Sequence, residues 1–113
     1  MFINLKRFLL KNLNREMEDY EIDLQELKNK QRNGAEIIDV RSIREYNENH
    51  IFKAINIPEY EINSNFQKLY PDKEKEIVLY CKSGKRSKDA YKKLKKMGYK
   101  NVYNLYLGID NYW

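Results

Sequence analysis

The chain has 113 residues, enough for one domain with its own hydrophobic core and too few for two. Hydrophobic residues make up 42% of it and charged residues 35%, which is typical of a soluble globular protein with a heavily charged surface. The net charge of +5 comes from 22 basic and 17 acidic residues, and they are largely interspersed. Ten tyrosines could stack on bases, but most of them flank predicted helices. Composition therefore argues against a nucleic-acid-binding protein.

The content of cysteine and histidine limits the chemistry further. Cys81 is the only cysteine, so the chain forms no internal disulfide and gains nothing from an oxidising compartment. One cysteine and one histidine, His50, give no recognisable metal-ligand spacing, and we expect neither a metal nor an organic cofactor. The N-terminal residues contain no cleavage site and no apolar run near the roughly 20 residues that span a bilayer. We therefore expect a cytoplasmic protein.

Residues 2–13 predict an amphipathic basic helix, because their apolar side chains recur at helical spacing. Packing across the domain or against a partner subunit is the favoured interpretation of this helix. Attachment to a membrane surface is the less favoured one, although basic charge beside phenylalanine and leucine suits it. We divide the chain into an N-terminal helix or extension, residues 1–18, and one domain, residues 19–113.

Four helices are predicted after residue 19, with capping residues or helix breakers at their ends. Asp23 with Glu26, and Ser42 with Glu45, have the spacing of capping boxes, which satisfy free N–H groups at a helix start. The predicted helices cover residues 23–34, 42–49, 61–70 and 87–98.

Short apolar runs between these helices predict strands. The runs cover residues 36–40, 54–58, 76–80 and 101–106. Strands that alternate with helices through short connections predict an α/β fold of three layers, with a central, mainly parallel sheet flanked by helices on both faces. In such folds ligands bind beyond the carboxyl ends of the strands, and Cys81 directly follows the third predicted strand.

The segment "CKSGKRS", residues 81–87, surrounds a thiol with features that stabilise an anion. Gly84 permits a tight loop, and a tight loop before a helix turns backbone N–H groups toward one point. The helix N-terminus adds partial positive charge. Full positive charges come from Lys82, Lys85 and Arg86. These features favour the thiolate, so we predict that Cys81 is a nucleophile for an anionic substrate, not a buried structural cysteine.

The same segment resembles the active-site loop of rhodanese-type sulfurtransferases. "IIDVRSIREYNENHI" is similar to the family's Asp-Val-Arg, Glu-Tyr and Gly-His-Ile landmarks, "AINIP" to its Ala-x-Asn-Ile-Pro, and "NLYLGIDNYW" to its closing Gly-Gly and Trp segment. The resemblance runs from about Ile22 to Trp113 and implies a single rhodanese domain in which Cys81 carries sulfur as a persulfide. It also implies a substrate-binding loop formed by Lys82, Ser83, Gly84, Lys85, Arg86 and Ser87.

Two positions depart from the family pattern. Asn49 replaces the glycine before His-Ile, and we expect the turn to persist because asparagine tolerates a left-handed backbone. Leu107 replaces the first glycine of the closing pair, which puts a close backbone approach there in doubt. Asp39 and Arg41 follow a neighbouring strand, where they could support the loop through an ion pair or simply lie on the surface, and we favour support of the loop.

His50 is tempting as a general base for the thiol, but a thiolate that the loop already stabilises needs none. We therefore interpret His50 as a packing or hydrogen-bonded residue.

The leading functional hypothesis is an enzyme that moves sulfur from thiosulfate, or another sulfane-sulfur donor, to cyanide, a small thiol such as glutathione, or a protein thiol. A second hypothesis is a related phosphatase or arsenate reductase. Those loops have five residues between cysteine and arginine, whereas Cys81 and Arg86 have four between them. A third hypothesis is a non-enzymatic relay that passes its persulfide to one partner protein. We expect no nucleic-acid partner.

Overall fold

The computed structural model describes residues 17–113, so the predicted helix of residues 2–13 lies outside the described residues and the boundary at residue 18 stays a prediction. Five parallel strands form one sheet in the order β1-β5-β4-β2-β3. They are β1 (Glu21–Ile22), β2 (Glu36–Asp39), β3 (Ile55–Asn56), β4 (Ile77–Tyr80) and β5 (Val102–Leu105). The sequence predicted the last four. It missed β1, because two residues are too few to show a periodic pattern.

The helices of the described residues are α1 (Leu24–Arg32), α2 (Ile43–Glu48), α3 (Phe66–Leu69) and α4 (Lys85–Lys96), and 3-10 turns cover Glu59–Glu61 and Ile109–Asn111. Both predicted capping boxes are present, at the starts of α1 and α2. Helix α3 is shorter than predicted. The side chain of Asn63 accepts a hydrogen bond from the backbone N–H of Asn65 at 2.9 Å, and such local bonds compete with helix formation.

The sheet is buried on both faces, which confirms the three-layer α/β fold. Side chains along β4 alternate, so that Ile77 and Leu79 enter one core cluster and Val78 and Tyr80 the other. Helices α3 and α4 cover the first cluster through Phe66, Ala90 and Leu94. Helix α1 covers the second through Leu27, with Tyr46 of α2 packed beside it.

The order of the strands determines which connecting segments meet. Strand β4 lies between β2 and β5, and all three run in the same direction. The segments that leave their carboxyl ends therefore lie side by side at one edge of the sheet. Cys81 follows β4 at this edge, and Val40 and Tyr106 follow its two neighbours.

Within residues 17–113, no helix has both the length and the apolar character that a membrane crossing requires.

Candidate active site

Cys81 lies at the N-terminus of α4, and its sulfur accepts hydrogen bonds from the protein. The backbone N–H of Gly84 donates to Cys81 Sγ at 3.1 Å, and that of Ser87 donates at 3.4 Å. The Ser87 hydroxyl lies 3.4 Å from the sulfur and also hydrogen bonds to the carbonyl of Gly84 at 3.2 Å. Two backbone N–H groups thus donate to the sulfur at the positive end of a helix dipole, an arrangement that stabilises a negative charge.

The turn between Cys81 and α4 is tighter than the sequence indicated. The helix begins at Lys85, not near Ser87, and Gly84 is its N-cap residue with a φ of +97°. Glycine is suited to this left-handed conformation, which other residues adopt at a cost in energy. The early start places Lys85 and Arg86 in the first helical turn, where backbone N–H groups have no partner within the helix.

The predicted loop residues differ in exposure. Lys82, Ser83 and Lys85 are exposed, whereas Gly84, Ser87 and Cys81 itself are buried. Cys81 has a relative exposure of 0%, so its sulfur lies beneath the turn and not on the surface. A cavity of about 550 Å³ is found elsewhere, and no residue of the 81–87 segment lines it. The local chemistry at Cys81 therefore identifies the site better than cavity size does.

Arg86 forms an ion pair with Glu45, an acidic residue whose sequence position predicted only a role in a capping box. Its guanidinium donates to both carboxylate oxygens of Glu45, at 2.7 and 3.0 Å. The hydrogen bond from Arg86, followed by those from Ser42, lowers the pKa of Glu45 to about 2. The pKa of Arg86 is raised, chiefly by the same hydrogen bond. Glu45 therefore links the start of α2 to the first turn of α4. The contact joins residues 41 positions apart, and no local sequence pattern indicates it.

Asp39 and Arg41 form a second ion pair, with 2.7 Å between Arg41 Nη2 and Asp39 Oδ2. Both side chains are buried. Asp39 also accepts a hydrogen bond from the Tyr80 hydroxyl at 2.8 Å, and Arg41 donates to the carbonyl of Asn49 at 2.7 Å. The pair is thus hydrogen bonded to Tyr80, the residue directly before Cys81. Support of the 81–87 loop by this pair stays a prediction.

The two departures from the family pattern have different outcomes. Asn49 has φ −167° and ψ 157°, so the expected left-handed backbone is wrong there, and the residue is extended. Leu107 does adopt the left-handed region, with φ +63°. The next residue, Gly108, approaches the loop so closely that a Cβ on it would lie 2.3 Å from the carbonyl oxygen of Lys82. The close approach therefore exists, one residue beyond the position that was in doubt.

The closing segment also binds the loop through its backbone. The N–H of Ile109 donates to the carbonyl of Cys81 at 2.9 Å, and that of Asp110 donates to the carbonyl of Lys82 at 3.1 Å. These bonds fix two consecutive peptide units, Cys81–Lys82 and Lys82–Ser83, through their carbonyl groups. No local sequence pattern indicates this role, since it depends on the turn after β5 lying beside the turn after β4.

His50 has its contacts within its own segment. Its ring stacks on that of Tyr46, with 3.6 Å between centroids, and its Nδ1 lies 2.7 Å from the Tyr46 carbonyl oxygen. The side chain is otherwise exposed. These contacts agree with a packing and hydrogen-bonding role.

Comparison with known proteins agrees with this geometry. The family model described as "Rhodanese-like domain" matches residues 23–113. The chain is 39% identical over 67 residues to the thiosulfate sulfurtransferase PspE of Escherichia coli, covering 59% of this chain and 64% of that protein. It is 37% identical over 76 residues to a putative sulfur carrier protein of Bacillus subtilis, YrkF, covering 67% of this chain and 40% of that protein. The aligned part is thus less than two thirds of the length of both relatives.

A solved structure of a human single-domain sulfurtransferase has the same fold. It matches with a TM-score of 0.67 and 33% identity, and the match covers 80% of this chain and 91% of that chain.

Proposed function

This chain belongs to the rhodanese-like domain family, and we propose that it moves sulfane sulfur from thiosulfate or a similar donor to a thiophilic acceptor through a persulfide on Cys81. The observation that carries this proposal is the set of donors around the sulfur. Gly84 N–H and Ser87 N–H both donate to Cys81 Sγ at the positive end of α4, and the Ser87 hydroxyl, which donates to the Gly84 carbonyl, lies 3.4 Å from the sulfur. Such a site stabilises the thiolate that attacks, and it also stabilises the negative charge of the persulfide that forms.

In the first half of the reaction, the Cys81 thiolate attacks the outer sulfur of thiosulfate. A bond forms between Cys81 Sγ and this sulfur, while the sulfur–sulfur bond within thiosulfate breaks. Its electron pair leaves with sulfite, and the enzyme keeps one extra sulfur atom with one negative charge. No oxidant or reductant is consumed.

In the second half, the acceptor attacks the outer sulfur of the persulfide. Cyanide leaves as thiocyanate, or a thiolate of glutathione or of a protein becomes a persulfide. The bond between the two sulfur atoms breaks, and its electron pair returns to Cys81 as thiolate. The two halves together give ping-pong kinetics.

We assign the binding of the anionic donor to the residues around the turn. Lys82, Ser83 and Lys85 are exposed above the buried cysteine, and the first-turn amides of Lys85 and Arg86 have no helical partner. Since Cys81 is fully buried, the donor reaches the sulfur when the exposed side chains of the turn move aside. Arg86 contributes its charge while Glu45 fixes its position.

The length of the loop counts against phosphatase chemistry. Phosphatase loops have five residues between cysteine and arginine, which leaves room for a tetrahedral phosphate, whereas four residues separate Cys81 and Arg86 here. The loop of this protein is therefore one residue shorter. Sulfur transfer suits this smaller site.

A sulfur relay is the second candidate, and the similarity to a putative sulfur carrier protein favours it. A relay uses the same persulfide but passes it to one protein. Turnover with thiosulfate and cyanide distinguishes the two functions. An enzyme completes many cycles with these small molecules, whereas a relay is loaded once by a donor protein and reacts slowly with free thiosulfate.

Intact-mass spectrometry after incubation with thiosulfate tests the proposal directly. We expect the mass of one sulfur atom to be added to the wild-type protein and to be lost on addition of cyanide, with thiocyanate formed. Cys81→Ser is the matched control, because its hydroxyl is close in shape to the thiol but forms no persulfide. Thiocyanate production by Cys81→Ser at a substantial rate, or an unmodified wild-type protein, contradicts the mechanism.

A further inference from the structure

The basic residues of this protein are concentrated in the segment that contains the active-site turn and α4. Residues 82–100 hold nine basic residues and a single acidic one, Asp89. The whole chain has a net charge of +5, so all the other residues together carry three net negative charges. The overall charge of the chain is therefore modest although residues 82–100 form a strongly positive segment.

Four lysines of this region lie on one side of α4. They follow each other at intervals of three or four residues, which places them along the solvent-facing surface, opposite the buried Ala90 and Leu94. We call them the lysine stripe: Lys85, Lys88, Lys92 and Lys96. The stripe begins in the first turn of α4 beside the Cys81 site and extends about 16 Å along the helix, at 1.5 Å per residue.

The lysine stripe lacks the partners that other lysines of this segment have. Lys93 forms an ion pair with Glu59 at 2.7 Å, and Lys95 donates to the backbone carbonyl of Lys100. Within the described part of the chain, residues 17–113, no acidic side chain forms an ion pair with a lysine of the stripe. Its positive charge is therefore available to another molecule.

Helix stability does not account for the stripe. Cations in the first turn of a helix oppose its dipole, and the first turn of α4 contains no acidic residue. Lysines four residues apart, such as Lys88, Lys92 and Lys96, repel each other. Lys96 lies in the last turn, where a cation favours the dipole, but the charges of Lys85, Lys88 and Lys92 weaken the helix. A role in binding is therefore a better explanation for the arrangement as a whole.

Attraction of a small anion does not account for it either. Lys92 and Lys96 lie about 10 and 16 Å along the helix from Lys85, at 1.5 Å per residue. Electrostatic screening at physiological ionic strength acts over about 8 Å, so these two lysines have little influence on thiosulfate at the turn. A ligand that contacts Lys96 and also reaches Cys81 spans about 16 Å or more, which exceeds thiosulfate or cyanide and fits the surface of a protein.

We propose that the lysine stripe binds an acidic surface of the protein whose thiol accepts sulfur from Cys81. This inference rests on the proposed function, and it makes a protein thiol the preferred acceptor. Charge complementarity guides such a partner so that its thiol meets the first turn of α4. Nucleic acid fits less well, because the large exposed aromatic side chains of residues 17–113, Phe52, Tyr60 and Trp113, lie outside α4, where bases would need them for stacking.

The test uses two synthetic peptides that carry one cysteine and a fluorescent label. One has glutamate at every fourth position, and the other has glutamine at the same positions. The variant Lys92→Gln/Lys96→Gln removes two charges of the stripe away from the cysteine. Its control, Lys28→Gln/Arg32→Gln, removes two exposed charges from α1 on the opposite face of the sheet.

We expect the glutamate peptide to bind the wild-type protein more tightly than the glutamine peptide, with an affinity that falls as salt is added. The Lys92→Gln/Lys96→Gln variant should bind it about fivefold more weakly and transfer sulfur to it correspondingly more slowly. Transfer to glutathione should stay the same in both variants, and the control variant should bind as the wild type does. Fluorescence anisotropy gives the affinities, and intact mass of the peptide gives the transfer rates.

If Lys92→Gln/Lys96→Gln and Lys28→Gln/Arg32→Gln bind the glutamate peptide equally weakly, the net charge of the protein alone attracts it, and the proposal is overturned. An unchanged affinity of Lys92→Gln/Lys96→Gln for this peptide overturns it as well. The wild-type protein is also tested with a single-stranded RNA oligonucleotide. If it binds this RNA more tightly than the glutamate peptide, and this binding is lost in Lys92→Gln/Lys96→Gln, the stripe binds nucleic acid and the proposal is overturned. If the peptide binds the stripe of a wild-type protein that forms no persulfide, the proposed function fails. The assignment of the partner as a sulfur acceptor then fails with it, although the lysine stripe remains a binding site for acidic surfaces.

Discussion

Asp39–Arg41 and Glu45–Arg86 are two ion pairs near the same edge of the sheet, and they differ in burial. The Asp39–Arg41 side chains are 0% and 5% exposed, whereas those of Glu45 and Arg86 are 27% and 39% exposed. The buried pair joins residues two positions apart and adds Tyr80 to its network. The outer pair joins residues 41 positions apart, one of them in the first turn of the helix that carries the site.

The difference suggests a division of roles between the pairs. A buried charge without its partner is very costly, so we expect the loss of either side chain of the inner pair to destabilise the fold around the strand ends. A partly exposed pair contributes less to stability because water screens it. We therefore expect the inner pair to matter mainly for folding and the outer pair mainly for the position of Arg86 in the substrate-binding turn.

Breaking the inner pair should have the largest effect on stability. Asp39→Asn leaves the buried guanidinium of Arg41 without a negative partner, and we expect the free energy of unfolding to fall by about 3 kcal/mol or more. Urea denaturation measures this change. The double variant Asp39→Asn/Arg41→Met removes the unpaired charge as well and should be more stable than Asp39→Asn alone. A loss below about 1 kcal/mol in the single variant means that the pair does not brace the strand ends.

Breaking the outer pair should affect activity more than folding. Arg86→Ala removes a partly exposed side chain, so we expect a loss of stability of about 1 kcal/mol or less. The turn then loses both a positive charge and its attachment to α2, and kcat/KM for thiosulfate should fall about tenfold, equivalent to about 1.4 kcal/mol. Steady-state kinetics and urea denaturation of the same preparation measure the two effects. An unchanged kcat/KM would show that backbone amides alone bind the donor.

The outer pair should also make stability depend on acid pH. The pKa of Glu45 is about 2 in the folded protein and 4.5 ordinarily, so its stabilising effect is present above the ordinary value and is lost as the pH falls from about 5 toward 2. With screening of these partly exposed side chains, we expect roughly 1 kcal/mol from this group. The difference in unfolding free energy between the wild type and Glu45→Gln should therefore shrink over this range. A difference that stays constant from neutral pH to pH 3 contradicts the role of the charge.

Lys85 provides the smallest expected effect and a comparison with Arg86. It lies beside Arg86 in the first turn but is exposed and forms no ion pair with any acidic residue of the described segment 17–113. Lys85→Ala should leave the unfolding midpoint unchanged and raise the KM for thiosulfate about threefold, since a mobile exposed charge contributes less than 1 kcal/mol. If Lys85→Ala raises the KM for thiosulfate more than Arg86→Ala does, the location of a positive charge in the turn matters more for thiosulfate binding than its fixation by Glu45.

Much of the fold could be predicted because its signals are local. Capping boxes mark the starts of α1 and α2, and Gly34 marks the end of α1. Runs of β-branched residues indicate the central strands. The predictions failed where several local preferences compete. Asn63 turns the chain where α3 was expected, and the two residues of β1 are ordered by pairing with β5 and not by their own pattern. Asn49 is extended although its residue type tolerates a left-handed backbone.

The sequence by itself determined the location and type of the candidate site. A thiol at the end of a buried strand, followed by glycine, cations and the start of a helix, predicts a nucleophile in an anion-binding turn, and all these parts lie close together in sequence, where a local pattern reveals them. Only the tertiary structure decided how the site is supported. The contacts of Glu45 with Arg86 and of Gly108 with Lys82 join distant parts of the chain. They exist because β4 lies between β2 and β5, and the order of strands in a sheet depends on packing of the whole chain and not on any local pattern.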